Sequence, residues 1–270
     1  MILYHLVFDL NYFGLYTTDL DSLPVLLFLY PVSTTFLLLV GISLTISYSR
    51  AQQKLSKRQL QVKFLKRGTS VFGLGLLITL VTWLYPHDGY IVFGVLHCIG
   101  LSILLAYPLI RFRIFPLILG IFCIIFGITL RVVVLVDFPW LVWLGFVRSG
   151  FYTLDYFPLL PWFGVVLIGI FLGNSFYKNN TRKVSVNDHS QFILSRGLCF
   201  LGRHSLIIYL LHQLLIVGVL YVLHLVINGS RIVWSAGLFE SNALFLCLQM
   251  FQSLAASRTH DQQPLLVIVV

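Results

Sequence analysis

The sequence predicts an all-α protein, a polytopic integral membrane helical bundle with seven or eight transmembrane helices. Three observations carry that prediction. Hydrophobic residues make up 59% of the 270 positions and charged residues only 10%, with a mean hydropathy of +0.94. An average soluble domain is about half apolar and about a quarter charged, so a water-soluble fold has no place to hide this much apolar surface. The apolar residues also fall into runs close to the roughly 20 residues that a bilayer-crossing helix needs. Finally, Lys and Arg collect in alternate connections between those runs.

The first run, Met1 to about Phe13, is short and leads into Asp19 and Asp21. The second, Leu23 to Tyr48, ends at a basic connection, Arg50 to Arg67, that holds seven of the 18 Lys and Arg residues. The third, Thr69 to Tyr85, closes on Pro86-His87-Asp88-Gly89, a turn signal. The fourth, Tyr90 to Ile110, is followed by Arg111 and Arg113, and the fifth, Ile114 to Val136, by Asp137. An aromatic stretch from Phe138 to Tyr156 reads as a re-entrant or interfacial segment. The sixth run is Phe157 to Tyr177, and a polar loop runs from Lys178 to Arg196. The seventh, Leu198 to Ile227, closes a membrane domain of residues 1–227. The tail, 228–270, offers one further span at Ile232 to Phe251.

The basic connections at 50–67, 111–113 and 178–203 are expected on the cytoplasmic side of the plasma membrane. The acidic and aromatic ones at 14–22, 86–89 and 137–156 are expected outside. The net charge of +9 therefore points to anionic lipid headgroups and not to nucleic acid. Cys98, Cys123, Cys199 and Cys247 are scattered and read as small hydrophobes. Met1 opens directly into apolar sequence, so no cleavable signal peptide is expected. The Gly73-Leu74-Gly75 pair reads as close helix packing.

Ionisable residues inside spans are costly and mark candidate sites. His5 and Asp9 lie four apart, on one face of a helix, where a carboxylate can orient an imidazole as a general base. His97, in the fourth span, and the adjacent His212 and Gln213, mid-way along the seventh, need partners inside the bundle. Arg203 and His204 sit at the inner end of that same helix, and Arg131 lies near the outer end of the fifth. In Phe157-Pro158-Leu159-Leu160-Pro161-Trp162, two prolines three apart cannot both occupy a helix interior. Asp155 stands just before this break and Trp162 ends it. No metal-binding motif appears.

Several ordered segments carry a resemblance. They are Met1-Ile2-Leu3-Tyr4-His5-Leu6-Val7-Phe8-Asp9-Leu10, the Phe36-to-Leu44 run, Phe64-Leu65-Lys66-Arg67-Gly68 with Gly75-to-Thr79, and Ile91-Val92-Phe93-Gly94-Val95-Leu96-His97. Leu154-Asp155-Tyr156-Phe157-Pro158-Leu159-Leu160-Pro161-Trp162, Leu201-Gly202-Arg203-His204-Ser205-Leu206 and Tyr209-Leu210-Leu211-His212-Gln213 complete the set. Over about residues 1–225 the chain is similar to the prokaryotic branch of the heparan-alpha-glucosaminide N-acetyltransferase catalytic-domain family. That resemblance implies a multi-span membrane acyltransferase that uses acetyl-CoA as donor co-substrate and relies on a membrane-embedded histidine; with no metal-binding motif in the sequence, no metal is expected. Two departures stand out: family members usually carry further sequence before the position of Met1, so the first helix reads as truncated, and Leu214 stands where the family usually has Pro.

The combined expectation is transfer of an acetyl or other acyl group from cytoplasmic acyl-CoA to an extracytoplasmic acceptor, a sugar or amino sugar. His5 and Asp9 are the catalytic candidates, and His97, Asp155, Trp162, Tyr209, His212 and Gln213 the pocket candidates. Any of His5, His97 and His212 can serve as base, and Gln213, Arg203 or Tyr209 as the donor to a developing oxyanion. Lys66, Arg67, Arg203 and His204 are candidates for the CoA phosphates. The lipid bilayer is the obligatory partner, and a homo-oligomer is compatible with the sequence. The rival readings are a small-molecule transporter or flippase, for which inverted repeats would be the mark, and an inactive truncated family member.

Overall fold

The structure, a computed structural model, describes residues 2–235 except 13, 17–18, 20–21, 85–86, 88, 134–138, 148–150, 179–180 and 183–192. Its regular elements are eight α-helices, a 3-10 turn at Pro139–Leu144 and one pair of two-residue strands, Tyr177–Lys178 with Thr181–Arg182. Among the described residues, four helices are long and apolar enough to cross a membrane: α2 (Leu23–Ala51), α3 (Lys57–Leu84), α6 (Leu159–Phe176) and the Ser205–Leu223 part of α8 (Ser205–Ser235). The remaining helices are α1 (Ile2–Tyr12), α4 (Val95–Ala106), α5 (Phe115–Val133) and α7 (Ile193–Arg203). The tail span expected at Ile232 to Phe251 lies almost wholly outside the described residues.

The chain divides into two compact units, one formed by α1, α7 and α8 and the other by α2 to α6. In the second, α6 packs between α2 and α5, and α3 packs along α4. Small residues set both α6 contacts, as expected where lipid-solvated helices gain most from close packing. A Cβ on Gly41 of α2 would collide with the Val166 carbonyl and lie 2.8 Å from Ile170 N. On another side of α6, a Cβ on Gly120 of α5 would lie 2.9 Å from the Gly164 carbonyl oxygen. The outward sides stay apolar and open, as at Leu76, Leu80 and Leu84 of α3 and Ile118, Phe122 and Ile125 of α5.

Three boundaries differ from the expectation. The basic connection is mostly helix, because α3 starts at Lys57 and leaves only 52–56 as a turn. The reason is a capping box: Gln59 N–H donates to Ser56 Oγ (3.4 Å), and Ser56 N–H donates to Gln59 Oε1 (3.0 Å). The fourth helix begins at Val95 rather than Tyr90, so its 12 residues rise about 18 Å, well short of the roughly 30 Å hydrocarbon core. Residues 89–94 stay outside the helix because their backbone groups find partners elsewhere. Thr79 Oγ1 donates to Ile91 O (2.7 Å), Ile91 N–H to Thr82 Oγ1 (3.1 Å), and Phe157 N–H to Phe93 O (2.9 Å). The seventh run is split at His204 into α7 and α8, and α8 continues past Ile227.

Proline shapes the start of α6. Pro158 caps it, and Leu160, which precedes Pro161, takes the non-helical φ −101° and ψ 127°, the extended region to which a following proline pushes a residue.

Candidate functional site

The candidate residues fall into separate groups. In the unit of α1, α7 and α8, α8 lies against α1. Asp9 is only 3% exposed, and both its carboxylate oxygens accept from Gln213 Nε2, each at 3.1 Å. This bond joins residues 204 positions apart in the chain. It also fixes the amide: a carboxylate only accepts, so the Gln213 NH2 faces Asp9 and Oε1 points away. Gln213 Oε1 is buried and has no hydrogen-bond partner among the described residues. One turn along α1, the His5 ring lies 5.0 Å from that of His212, centroid to centroid. Gln213, expected as one of several donors to an oxyanion, thus has its donor end committed to Asp9.

His212 is 7% exposed. Its Nδ1 lies 2.6 Å from the Tyr209 carbonyl oxygen and 3.1 Å from that of Ile208. Carbonyl oxygens only accept, so Nδ1 carries the proton. In the neutral ring Nε2 is then an open lone pair, and it is buried with no hydrogen-bond partner among the described residues. The Tyr209 ring lies tilted beside this ring, centroids 5.6 Å apart. A histidine held by its backbone-bonded nitrogen, with the other nitrogen buried and free, has the arrangement that base or nucleophile chemistry requires.

In the other unit, His97 and Asp155 meet at the start of α4. His97 is 2% exposed, and its Nδ1 accepts from the Gly94 N–H at 3.2 Å. The neutral ring therefore carries its proton on Nε2, which faces Thr79 Oγ1 at 3.4 Å. His97 plays the part that Glu or Gln plays in a capping box and ties α3 to α4. Gly75 leaves room for this ring, since a Cβ there would lie 2.9 Å from His97 Nδ1, whereas Gly73 faces open space. Asp155 Oδ2 accepts from the Val95 N–H at 3.0 Å, a carboxylate at a helix N-terminus. Gly94 admits it, because a Cβ on that residue would collide with Asp155 Oδ2. His97, placed about two turns into its span by the sequence, thus sits in the first turn of α4.

Sequence reading missed Thr79, Thr82, Thr153 and Tyr156, which support this corner. Thr153 Oγ1 donates to Tyr90 O (2.8 Å) and the buried Tyr156 hydroxyl to Val142 O (2.7 Å). The signal was present in part: threonines three apart on an apolar helix face can satisfy a neighbouring extended segment. Trp162 is buried against Phe157, with ring centroids 5.1 Å apart, and its Nε1 has no hydrogen-bond partner among the described residues.

Among the phosphate candidates, Lys66 lies on an open groove of α3 with Arg58 and Lys63, and Arg67 lies off that groove. Arg203 is exposed at the end of α7, and His204 Nδ1 donates to the Phe200 carbonyl at 2.9 Å. Arg131 has no described side chain. No group of three or more metal-ligating side chains occurs among the described residues.

A family profile described as heparan-alpha-glucosaminide N-acetyltransferase, catalytic, matches residues 1–214. The chain belongs to this family. The match begins ahead of His5 and ends just after Gln213, so it takes in the α1–α8 cluster and the α4 corner alike. No curated protein and no solved structure matches the chain.

The α4 corner of this family member gives a prediction. Burial pushes the Asp155 carboxyl up to about 7, against the Val95 N–H, which lowers it. A folded value above the unfolded one of 3.8 means that the folded state holds this proton more tightly. The contribution is then full below about pH 4 and is lost as pH rises through 7. The Asp155→Asn variant keeps an acceptor for Val95 and should lose this pH slope, melting at least as high as wild type at pH 8. Asp155→Ala removes the cap and should cost about 1 kcal/mol. Melting curves in detergent between pH 5 and 8 check both; an Asn variant as unstable as the Ala variant at pH 8 contradicts the capping role.

Proposed function

We propose that the protein is a membrane-embedded acyltransferase, with α1, α4 together with the non-helical segments that flank it, α5 and the tail adding to the four long helices to make seven or eight spans. It moves an acetyl or related acyl group from acyl-CoA on the cytoplasmic side of the plasma membrane to an extracytoplasmic acceptor, a sugar carrying an amino group. The observation that carries this reading is the buried α1–α8 cluster, in which His212 Nε2 and Gln213 Oε1 are both acceptors without a hydrogen-bond partner among the described residues. Family membership supports the reaction class and acetyl-CoA as the donor.

The chemistry balances on these groups. The acceptor amine attacks the thioester carbonyl; a new N–C bond forms and the C–S bond breaks. His212 takes the proton from the amine and returns it to the departing CoA thiolate. A primary amine retains a second N–H to satisfy Gln213 Oε1 while His212 receives the first. An alcohol has only one O–H and leaves one of the two buried acceptors unpaired, which costs about 1–3 kcal/mol. Asp9 holds the Gln213 amide in the accepting orientation, and His5 lies beside the His212 ring. Tyr209 remains a candidate for donating to the oxyanion, while Arg203 and His204, in the same unit, are assigned to the CoA phosphates.

The test is CoA release by the purified protein in detergent with acetyl-CoA, offering glucosamine beside glucose as acceptor. Release that depends on glucosamine, exceeding that with glucose at least ten-fold, supports the reading. Equal release with both acceptors sinks the amine assignment. No acetyl-CoA binding by a folded sample sinks the acyltransferase itself and moves transport to the front.

A further inference from the structure

The first turns of α3 carry a feature that acyl transfer does not account for. The side chains of Leu55, Arg58, Gln59, Val62, Lys63 and Lys66 line one open groove, at the three-and-four spacing that puts them on one helix face. The opposite face is anchored. Leu60 and Phe64 are 4% and 2% exposed, and the Phe64 ring packs against Tyr107 at 5.5 Å and Tyr48 at 6.0 Å. The groove is therefore held in place by α2 and by the turn after α4, and the capping box at Ser56 fixes where the helix starts.

No acidic residue stands near this charge in the sequence. Seven Lys and Arg residues lie between positions 50 and 67, and the chain has no Asp or Glu between Asp21 and Asp88. Helices α2, α4 and α6, which complete this side of the unit, contain none either. Depth identifies the occupant. The 28 residues of α3 rise about 42 Å, close to the full thickness of a bilayer with its headgroups. The apolar part, from Thr69 on, takes up the hydrocarbon and leaves Lys57 to Lys66 at headgroup level. Cations alternating with Leu55 and Val62 match a phosphate attached to an apolar body.

We propose that this face of α3 is a binding site for the phosphate headgroup of an anionic phospholipid, with Arg58, Lys63 and Lys66 on the phosphate and Leu55 and Val62 against the glycerol and upper acyl chain. The site goes beyond the acyl-transfer reading and rests only on α3 crossing the membrane.

The experiment titrates the purified full chain in a neutral detergent with dioctanoyl-phosphatidylglycerol or dioctanoyl-phosphatidylcholine and reads the thermal midpoint. The glycerol lipid should raise the midpoint saturably and the choline lipid should not. A cation at a membrane surface contributes about 1 kcal/mol, so Lys63→Gln should need about five-fold more phosphatidylglycerol for the same shift, and Arg58→Gln with Lys63→Gln about 25-fold more. Lys63→Arg, which keeps the charge, should respond like wild type. Equal shifts with the two lipids overturn the proposal, as does a phosphatidylglycerol response unchanged in Lys63→Gln. Loss of the lipid shift on adding equimolar coenzyme A also overturns it, because the face is then a site for the nucleotide's phosphates. That last outcome leaves the acyltransferase reading standing, and a failure of acyl transfer leaves the lipid titration unaffected.

Discussion

Replacing His212 with glutamine should lower acyl-CoA turnover about 10²- to 10⁴-fold, the range that a positioned general base contributes, with acetyl-CoA binding changed only a few-fold. The expectation comes from the ring's two nitrogens. The Nδ1 proton is committed to the Tyr209 and Ile208 carbonyls, which leaves Nε2 as the one position where a proton can be received. Glutamine is similar in reach but cannot take a proton at neutral pH. Two companions sharpen the result. Asp9→Asn releases the Gln213 amide from its fixed orientation and should raise the KM for the acceptor more than it lowers kcat. His5→Gln discriminates between the two rings: if it abolishes turnover while His212→Gln retains it, the base is His5 and the assignment made from the backbone bonds is wrong. Single-turnover CoA release beside equilibrium binding measures all three.

Gly41→Leu should be the most damaging single change in the unit of α2 to α6. Even a Cβ at this position meets backbone rather than side chain, with Val166 O, Ile170 N and Gly169 C all too close. Backbone cannot rotate away as a side chain does. The α2–α6 crossing must then separate, at a cost above the 1–3 kcal/mol typical of an overfilled core. Gly73→Ala is the control. No atom lies within 4 Å of the Cβ it would add, and alanine favours a helix over glycine by about 1 kcal/mol. The first variant should lose its cooperative melting transition in detergent, and the second should melt as high as wild type or higher. Similar melting of Gly41→Leu and wild type would mean that the helices do not cross at this glycine.

The helical, membrane-crossing character was legible because it rests on long apolar runs, which need no knowledge of what they touch. Boundaries were harder. The cations from Lys57 to Arg67 looked like a loop because charge suggests water, although Ser56 and Gln59 stood at capping-box spacing throughout. The shortening of α4 was not legible, since it depends on threonines of α3 and on Phe157, each meeting residues 90–94 only through tertiary folding. The α1–α8 cluster shows the same limit more sharply. His5, Asp9, His212 and Gln213 were all visible as costly polar residues in apolar surroundings. Their pairing across some 200 residues of chain was not, and neither was the side of the Gln213 amide that faces Asp9. The approach of the His5 and His212 rings was not legible either, because nothing local marks α8 as the neighbour of α1.

The position of α6 between α2 and α5 has a consequence for biogenesis. Helices enter a membrane one at a time and associate afterwards, and this chain emerges from its N-terminal end. The glycine faces of α2 and α5 are ready long before their common partner exists. Until the ribosome has passed Phe176, the surfaces around Gly41 and Gly120 can meet only lipid or another nascent protein. Assembly of this unit is therefore a late event set by one helix, and a transcript broken before that helix would yield inserted but unassembled spans, the species that membrane quality control removes.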